Sequence, residues 1–373
     1  MRVFLRFVLL LTFFLGAGSE AAAFKLAVAG DSLSDEYVES SYGTYAKNWV
    51  EQLAVHAGVD FGPTAAEAGV AGGSWDATRR TGYQCNWAKS GANSTTMLSG
   101  GQHTGAAQCV TAEGATHAVL FIGANDFFPS SAAYLGIYSG TWTEAEIIAH
   151  KFQVAINISN ALTTLTATGV PALVATVPDY GLAPTTQQFL VSAAARQNVA
   201  DVIDELNLVI HNIAQAREVG VIDINAAALA IFGGHGSPNA TLDVGNVSIP
   251  LAQKDTTGGG NPLAAFVDDG IHPSTVLQGL VANLVMTGLN EVYGTGLTLF
   301  TEAEILAHRG IAYGGSDTVV AQLGAYTDFV TDYTPVVEAV PSLSPGSLAA
   351  LGFLLVASAT LLPGMLRRRD QGP

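Results

Sequence analysis

Four short, nearly continuous apolar runs, separated by amphipathic helical patterns, constrain this chain more than any other feature. They are Lys25–Ala29, His117–Ile122, Val170–Val177 and Val219–Ile224, with a weaker candidate at Tyr83–Ala88. A strand with one wet face alternates apolar with polar residues. One that is apolar throughout belongs to a parallel sheet covered on both faces. The covering helices are legible between the runs. Ala46, Trp49, Val50, Leu53 and Ala57 keep the spacing of one helix face. Thr143 and Glu146 form a capping box before a helix expected to run to Thr168. Within 193–217, Val199, Ile203, Leu206 and Ile210 lie on one stripe, and Thr275–Leu289 follows Pro273 as another helix. Alternating elements of this kind predict an α/β chain. The expected architecture is a three-layer α/β/α sandwich around a central parallel sheet of about five strands. Two segments rich in Gly, Asn, Thr and Ala, 62–82 and 225–266, are expected to be loops near the site. Thr143–Lys151 and Thr301–Arg309 echo each other (TEAEIIAHK, TEAEILAHR) and read as two helix starts.

The two ends read differently. Residues 1–23 have a basic start (Arg2, Arg6), an apolar stretch from Phe7 to Leu15 and small residues at Ala21–Ala23, the pattern of a secretory signal peptide. The folded domain is then expected over 24–330. Residues 331–346 read as a linker that ends in the Pro-containing run Val340–Pro345. Residues 347–366 read as a transmembrane segment and 367–373 as a basic cytoplasmic tail carrying Arg367, Arg368 and Arg369. From Leu348 to Leu366 no residue is charged, and at 1.5 Å per residue the run spans roughly 28 Å, the thickness of a hydrocarbon core. Arginines directly after it stay cytoplasmic, which puts the domain outside. Linker, apolar segment and arginine cluster together resemble the C-terminal sorting signals of bacterial envelope proteins, of the PEP-CTERM type. That resemblance implies a sorting protease as a partner; a plain membrane anchor is the alternative.

Composition narrows the partners. The formal charge is −16, from 15 Lys+Arg against 31 Asp+Glu. Such a chain lacks the basic footprint that nucleic acid requires. Apolar residues make up 49%, enough for a sizeable core and too many for a disordered chain. The only cysteines are Cys85 and Cys109. In an exported chain they most simply form one disulfide, and by themselves they cannot make a structural zinc site. Neither a Gly-X-Ser-X-Gly elbow, nor a dinucleotide-binding glycine fingerprint after the first strand, nor a His-Glu-X-X-His, nor a P-loop is present.

Ligands of parallel sheets sit at the carboxyl ends of the strands, so the turns there matter most. Gly30-Asp31-Ser32-Leu33 follows the first run, Ser90-Gly91 the weak one and Gly123-Ala124-Asn125-Asp126 the His117 run; Asp269-Gly270-Ile271-His272 comes late. A serine hydroxyl is a poor nucleophile until a base takes its proton and a third group orients the base. Ser32 is the candidate nucleophile, His272 the base and Asp269, three residues earlier, its orienting carboxylate. The backbone N–H groups of Ser32 and Gly91 and the side-chain amide of Asn125 are candidate oxyanion donors. Gly91 is expected to be glycine because backbone must approach closely there. Asp31 and Asp126 are expected to hold their turns. Trp75, Tyr83 and Trp87 are read as packing residues, with a sugar or acyl site as the alternative. His56, His103, His117, His150, His211, His235 and His308 have no acid at useful spacing and are read as core or surface.

These four blocks, in this order over residues 30–272, resemble those of the GDSL or SGNH hydrolase family. The resemblance implies a flavodoxin-like fold and ester hydrolysis through an acyl-enzyme on Ser32, with Asp269 and His272 completing the triad, Gly91 and Asn125 in the oxyanion hole, and no metal or cofactor. Its members act on lipids, short acyl esters, thioesters and acetylated sugars. Three functions stay open at this point. One is an exported lipase or carboxylesterase on acyl lipids, and another an acetyl esterase on envelope or extracellular polysaccharide. The third is a non-catalytic surface-binding protein on a hydrolase scaffold.

Overall fold

The computed structural model describes residues 24–76 and 80–333. The expected signal peptide, transmembrane segment, basic tail and nearly all of the linker lie outside the described residues. Within the latter, no helix is long and apolar enough to cross a membrane.

Strands β1 (Leu26–Gly30), β2 (His117–Phe121), β3 (Ala172–Ala175) and β4 (Gly220–Ile222) lie side by side, all parallel. Leu26 faces His117, Ala118 faces Ala172 and Leu173 faces Gly220. The fifth strand, Val330–Thr331, adds to β4 and is antiparallel, where a parallel one was expected. Several helices and two hairpins separate it from β4, so no single strand–helix–strand crossover imposes a parallel direction. At the opposite edge the weak candidate forms a single bridge, Val28 with Asn86. Its backbone nevertheless runs along β1. Val28 N–H donates to the Cys85 carbonyl, and Trp87 and Lys89 donate back to Val28 and Gly30.

The strands' period of two divides the core into two. Leu26, Val28, Val119, Phe121, Leu173 and Ile222 point to one face. There they pack beneath helices α1 (Trp49–His56), α8 (Ile224–Phe232) and α9 (Thr275–Tyr293). Ala27, Ala29, Ala118, Leu120, Val174 and Val221 point to the other. That face is covered by α3 (Gln102–Glu113), α5 (Glu144–Thr166) and α7 (Ala193–Gln215), with α2 (Ser94–Ser99) against α5, α4 (Ala132–Tyr138) against α7, and the short α6 (Pro184–Phe189) preceding α7 in the chain. The three layers are those the sequence pattern predicts. Helix α9 is apolar on almost every side because the sheet, α1 and the segment 326–331 enclose it.

Thr143 caps α5 as expected, and Thr301 caps α10 (Glu302–Ala307) by the same box. The Cys85–Cys109 disulfide forms, with a Cα–Cα distance of 5.5 Å, and ties the edge beside β1 to α3. The segment 225–266 is not merely loop. Asp223 accepts a hydrogen bond from Ala226 N–H and starts α8, whose alanines carry the helix to Phe232. Two small hairpins follow, Gly233–Gly234 with Ser237–Pro238 and Thr241–Val244 with Val247–Pro250. Alanine-rich composition had suggested a loop; alanine is also the best helix former, and a capped run of it folds accordingly.

Candidate active site

Strand β1 ends in Gly30, and the chain turns at once. Asp31 accepts from Leu33 N–H through its side chain, at 3.0 Å, and from the Ser34 and Asp35 amides through its carbonyl. This turn lifts Ser32 out of the sheet beside the Asp269–His272 loop. That loop is held by its own short bonds. Asp269 Oδ1 accepts from Ile271 N–H at 2.7 Å and from His272 N–H at 2.9 Å. The Asp269 carbonyl accepts from Thr185 Oγ1–H at 2.6 Å. Gly270 sits at φ +64°, and a Cβ there would lie 2.4 Å from Thr185 Oγ1, so both backbone conformation and space demand glycine.

The result is a continuous chain of hydrogen bonds. His272 Nδ1 lies 2.5 Å from Asp269 Oδ2, and His272 Nε2 lies 2.7 Å from Ser32 Oγ. With the carboxylate accepting from Nδ1–H, Nε2 is left to accept the serine proton. Burial opposes the charge on Asp269, but the hydrogen bond from His272, the charge of that ring and the two amides outweigh it. They hold this carboxyl below its ordinary value. Asp268, the neighbouring acid, is exposed and accounts for none of these contacts; the Tyr45 hydroxyl accepts from its backbone N–H.

The oxyanion candidates are gathered by side chains from other blocks. Asn125 Nδ2 donates one N–H to the Ala92 carbonyl at 2.9 Å, which fixes the amide beside Gly91 and leaves its second N–H for a ligand. Asp35 Oδ2 accepts from both Ser90 N–H (2.7 Å) and Ser90 Oγ–H (2.6 Å), so the first block grips the second. Asp126 does not hold its own turn. Its carboxylate reaches across to Ser94 N–H and Oγ–H, both at 2.8 Å, and anchors the start of α2. Gly91 itself sits at φ +79°, the left-handed region that disfavours side chains.

Sequence reasoning missed Asp35, which carries no motif of its own. It also missed a buried cluster at the foot of the site. His235 Nε2 lies 2.6 Å from Asp179 Oδ2, and Arg196 Nε–H donates to His235 Nδ1 at 3.4 Å. His211 likewise approaches Asp223, at 3.6 Å. Asp179 is 56 positions from His235, and Asp223 follows β4 while His211 lies in α7, so no spacing within one element pairs them. Asp179 Oδ1 also accepts from Gly181 N–H, so the cluster clamps the turn that carries Tyr180. Tyr180 is buried, and its hydroxyl lies beside Ser32. Trp87 stacks under the Arg80 guanidinium, 3.6 Å from its ring centroid, and lines a cavity of about 230 Å³ that also touches Lys89, Ser90 and Gly91. Trp75 Nε1–H donates to the Gly82 carbonyl, a packing role. Among the described residues no cluster of three or more metal-ligating side chains forms.

Several solved structures are similar to this chain. An acylhydrolase from Bacteroides fragilis, described as putative in its own report, shares 14% identity at a TM-score of 0.38, covering 73% of this chain and 89% of its own. An acetyl xylan esterase from Geobacillus stearothermophilus shares 15% at 0.37, covering 79% and 97%. An extracellular lipase from Streptomyces rimosus shares 16% at 0.39, covering 70% and 100%. No curated protein sequence matches. The family model described as GDSL-like lipase/acylhydrolase matches residues 26–285, from the first residue of β1 into α9 and across all four blocks. By that match the chain belongs to the GDSL-like lipase/acylhydrolase family and is a hydrolase of ester bonds.

Proposed function

We propose that this protein is an exported serine esterase that works through an acyl-enzyme on Ser32. The observation that carries the reading is the unbroken bond chain from Asp269 through His272 to Ser32 Oγ. Ser32 Oγ attacks the ester carbonyl while His272 Nε2 takes its proton. The tetrahedral oxyanion is met by Ser32 N–H, Gly91 N–H and the free N–H of Asn125, donors fixed before the charge appears. His272 then protonates the leaving alcohol. It next takes a proton from water, which releases the acid and restores the serine. Asp269 keeps the imidazole in the right tautomer and stabilises the imidazolium.

Export is supported by the 1–23 pattern and by the Cys85–Cys109 bridge, which suits an oxidising compartment. The 347–366 segment and its arginines would hold the domain at the outer face of a membrane until a sorting protease cuts the tail. A second reading, esterase action on acylated saccharide, is favoured by the cavity beside Gly91, whose wall joins the flat Trp87 ring to the polar Lys89 and Ser90, a pairing that suits a hydroxylated alcohol. The purified 24–333 fragment should hydrolyse p-nitrophenyl esters. Ser32→Ala and His272→Ala should each remove that activity while leaving the circular dichroism unchanged; wild-type turnover in either variant would overturn the mechanism.

A further inference from the structure

The cavity beside Gly91, about 230 Å³ in volume, differs in charge from the rest of the molecule. Acidic residues outnumber Lys and Arg by 31 to 15 in the chain, yet the wall of this cavity holds Arg80 and Lys89 and neither Asp nor Glu. The two cations are not equivalent. The Arg80 guanidinium lies over the Trp87 ring, its Nη2–H donates to the Gln84 carbonyl at 2.6 Å, and Asp76 stands 3.8 Å from its Nε. Arg80 is thereby held in place and its charge offset. Lys89 is half-buried, and among the described residues its ammonium has neither an ion pair nor a hydrogen bond. Every other lysine there has a partner: Lys25 with Asp60 at 3.5 Å, Lys47 with Glu51 at 3.9 Å, Lys151 with Glu205, and Lys254 with Thr185 Oγ1 at 3.3 Å. An ammonium drawn partly out of water without a counter-ion is costly, so its place in a cavity wall points to a ligand that brings the missing charge.

Backbone bonds put this wall at the reacting end of the sheet. Lys89 N–H donates to the Gly30 carbonyl at 3.1 Å, and Gln102 Nε2–H, also in the wall, donates to the same oxygen at 2.8 Å. Gly30 stands two residues before Ser32, and Gly91, a candidate oxyanion donor, two residues after Lys89. Asp35, the acid bonded to Ser90, is not part of the wall, and its carboxylate is engaged by the Ser90 amide and hydroxyl.

We infer that this cavity is an anion subsite: the alcohol half of the ester carries a carboxylate or a phosphate group, and Lys89 receives it. This rests on the serine-esterase reading and deepens it by naming the charge of the leaving group. A lysine is a compact charge on a flexible stem, so it takes either anion, where a bidentate arginine would select by geometry.

The test compares two esters that differ in charge, p-acetoxybenzoate and its methyl ester, on the purified protein. Each kcat/KM is divided by the ester's own rate of alkaline hydrolysis, which removes the intrinsic reactivity of the leaving group. The corrected ratio, charged over neutral, should favour the charged ester in the wild type, fall about five-fold in Lys89→Met and be kept in Lys89→Arg. Raising sodium chloride to about 0.5 M should lower the wild-type ratio, because salt screens an ion pair, and should leave the Lys89→Met ratio where it was. Equal ratios in wild type and Lys89→Met would overturn the inference and leave the esterase reading standing. If Lys89→Met does not fold, the salt series on the wild type decides, and a flat series overturns the proposal. Two further pairs separate the sources of the anion: acetylated polygalacturonate against acetylated xylan for carboxylate, and an acylated glycerol phosphate against the monoacylglycerol for phosphate. The charged member should be preferred in at least one pair; preference for the neutral member in both overturns the proposal. Failure to hydrolyse any ester would remove both readings together.

Discussion

Asp35 shows how much of a site rests on a residue with no chemistry of its own. Its carboxylate carries two bonds from Ser90, and Ser90 sets the backbone of Gly91. A small misplacement of a transition-state donor is expensive, on the order of 10²-fold in rate. Asp35→Ala should therefore lower kcat by about ten- to a hundred-fold and change KM less, as read from steady-state kinetics. An unchanged kcat would show that Gly91 is positioned by something else. Gly91→Ala has room for its methyl group, so its cost is conformational, about 1–2 kcal/mol of stability on denaturant unfolding. Ser32, Asp269 and His272 were legible in the sequence because each stands in a short block at a strand end. Asp35, Asp179 and His235 were not, because their partners lie 55 or 56 positions away and only folding brings them together.

At the scale of elements, the strongest local signals were the caps. Thr143 and Thr301 both accept from the amide three residues on, and both have a glutamate that reaches back. Thr143→Ala should cost about 1 kcal/mol in denaturant unfolding without altering turnover, since the exposed Thr143 side chain bonds only within its own capping box. The disulfide should matter more. A closed loop of this length contributes roughly 3 kcal/mol in the chain-entropy model, so Cys85→Ser with Cys109→Ser should lower the unfolding midpoint by a corresponding amount. The parallel strands were readable from their unbroken apolarity. The antiparallel edge strand at Val330–Thr331 was not, being two residues long with no pattern to find. Helix α8 is hidden for a different reason: its alanines lie in a segment whose glycines, asparagines and threonines give it the composition of a loop.

For the whole molecule, the two-faced core follows from alternation along each strand, and it also determines where charge is hard to keep. Burial raises Asp31 to about 7 and Glu36 to about 8, while hydrogen bonds and neighbouring charge hold Asp269 and Asp223 low despite burial. A carboxyl raised on folding binds more protons in the folded state than in the unfolded one. Its contribution is complete below the ordinary carboxylate value and is lost as pH rises through its folded value. The lowered carboxyls act oppositely and have given their full contribution above that ordinary value. Stability should therefore peak in weakly acidic buffer and decline toward pH 8, with Asp31→Asn flattening the decline. Thermal midpoints at pH 5 and pH 8 check this; a midpoint that climbs steadily over the interval would contradict it. An overall charge of −16 adds self-repulsion in the same direction.

The claim beneath all of this is that Ser32 is the group that becomes acylated, and covalent labelling reads it directly. A fluorophosphonate probe applied to the folded domain should modify one residue, found by peptide mass spectrometry on Ser32, with labelling lost in His272→Ala and blocked by prior turnover-dependent inhibition. A label on any other residue, or ester hydrolysis that continues undiminished with Ser32 unlabelled, would contradict the account.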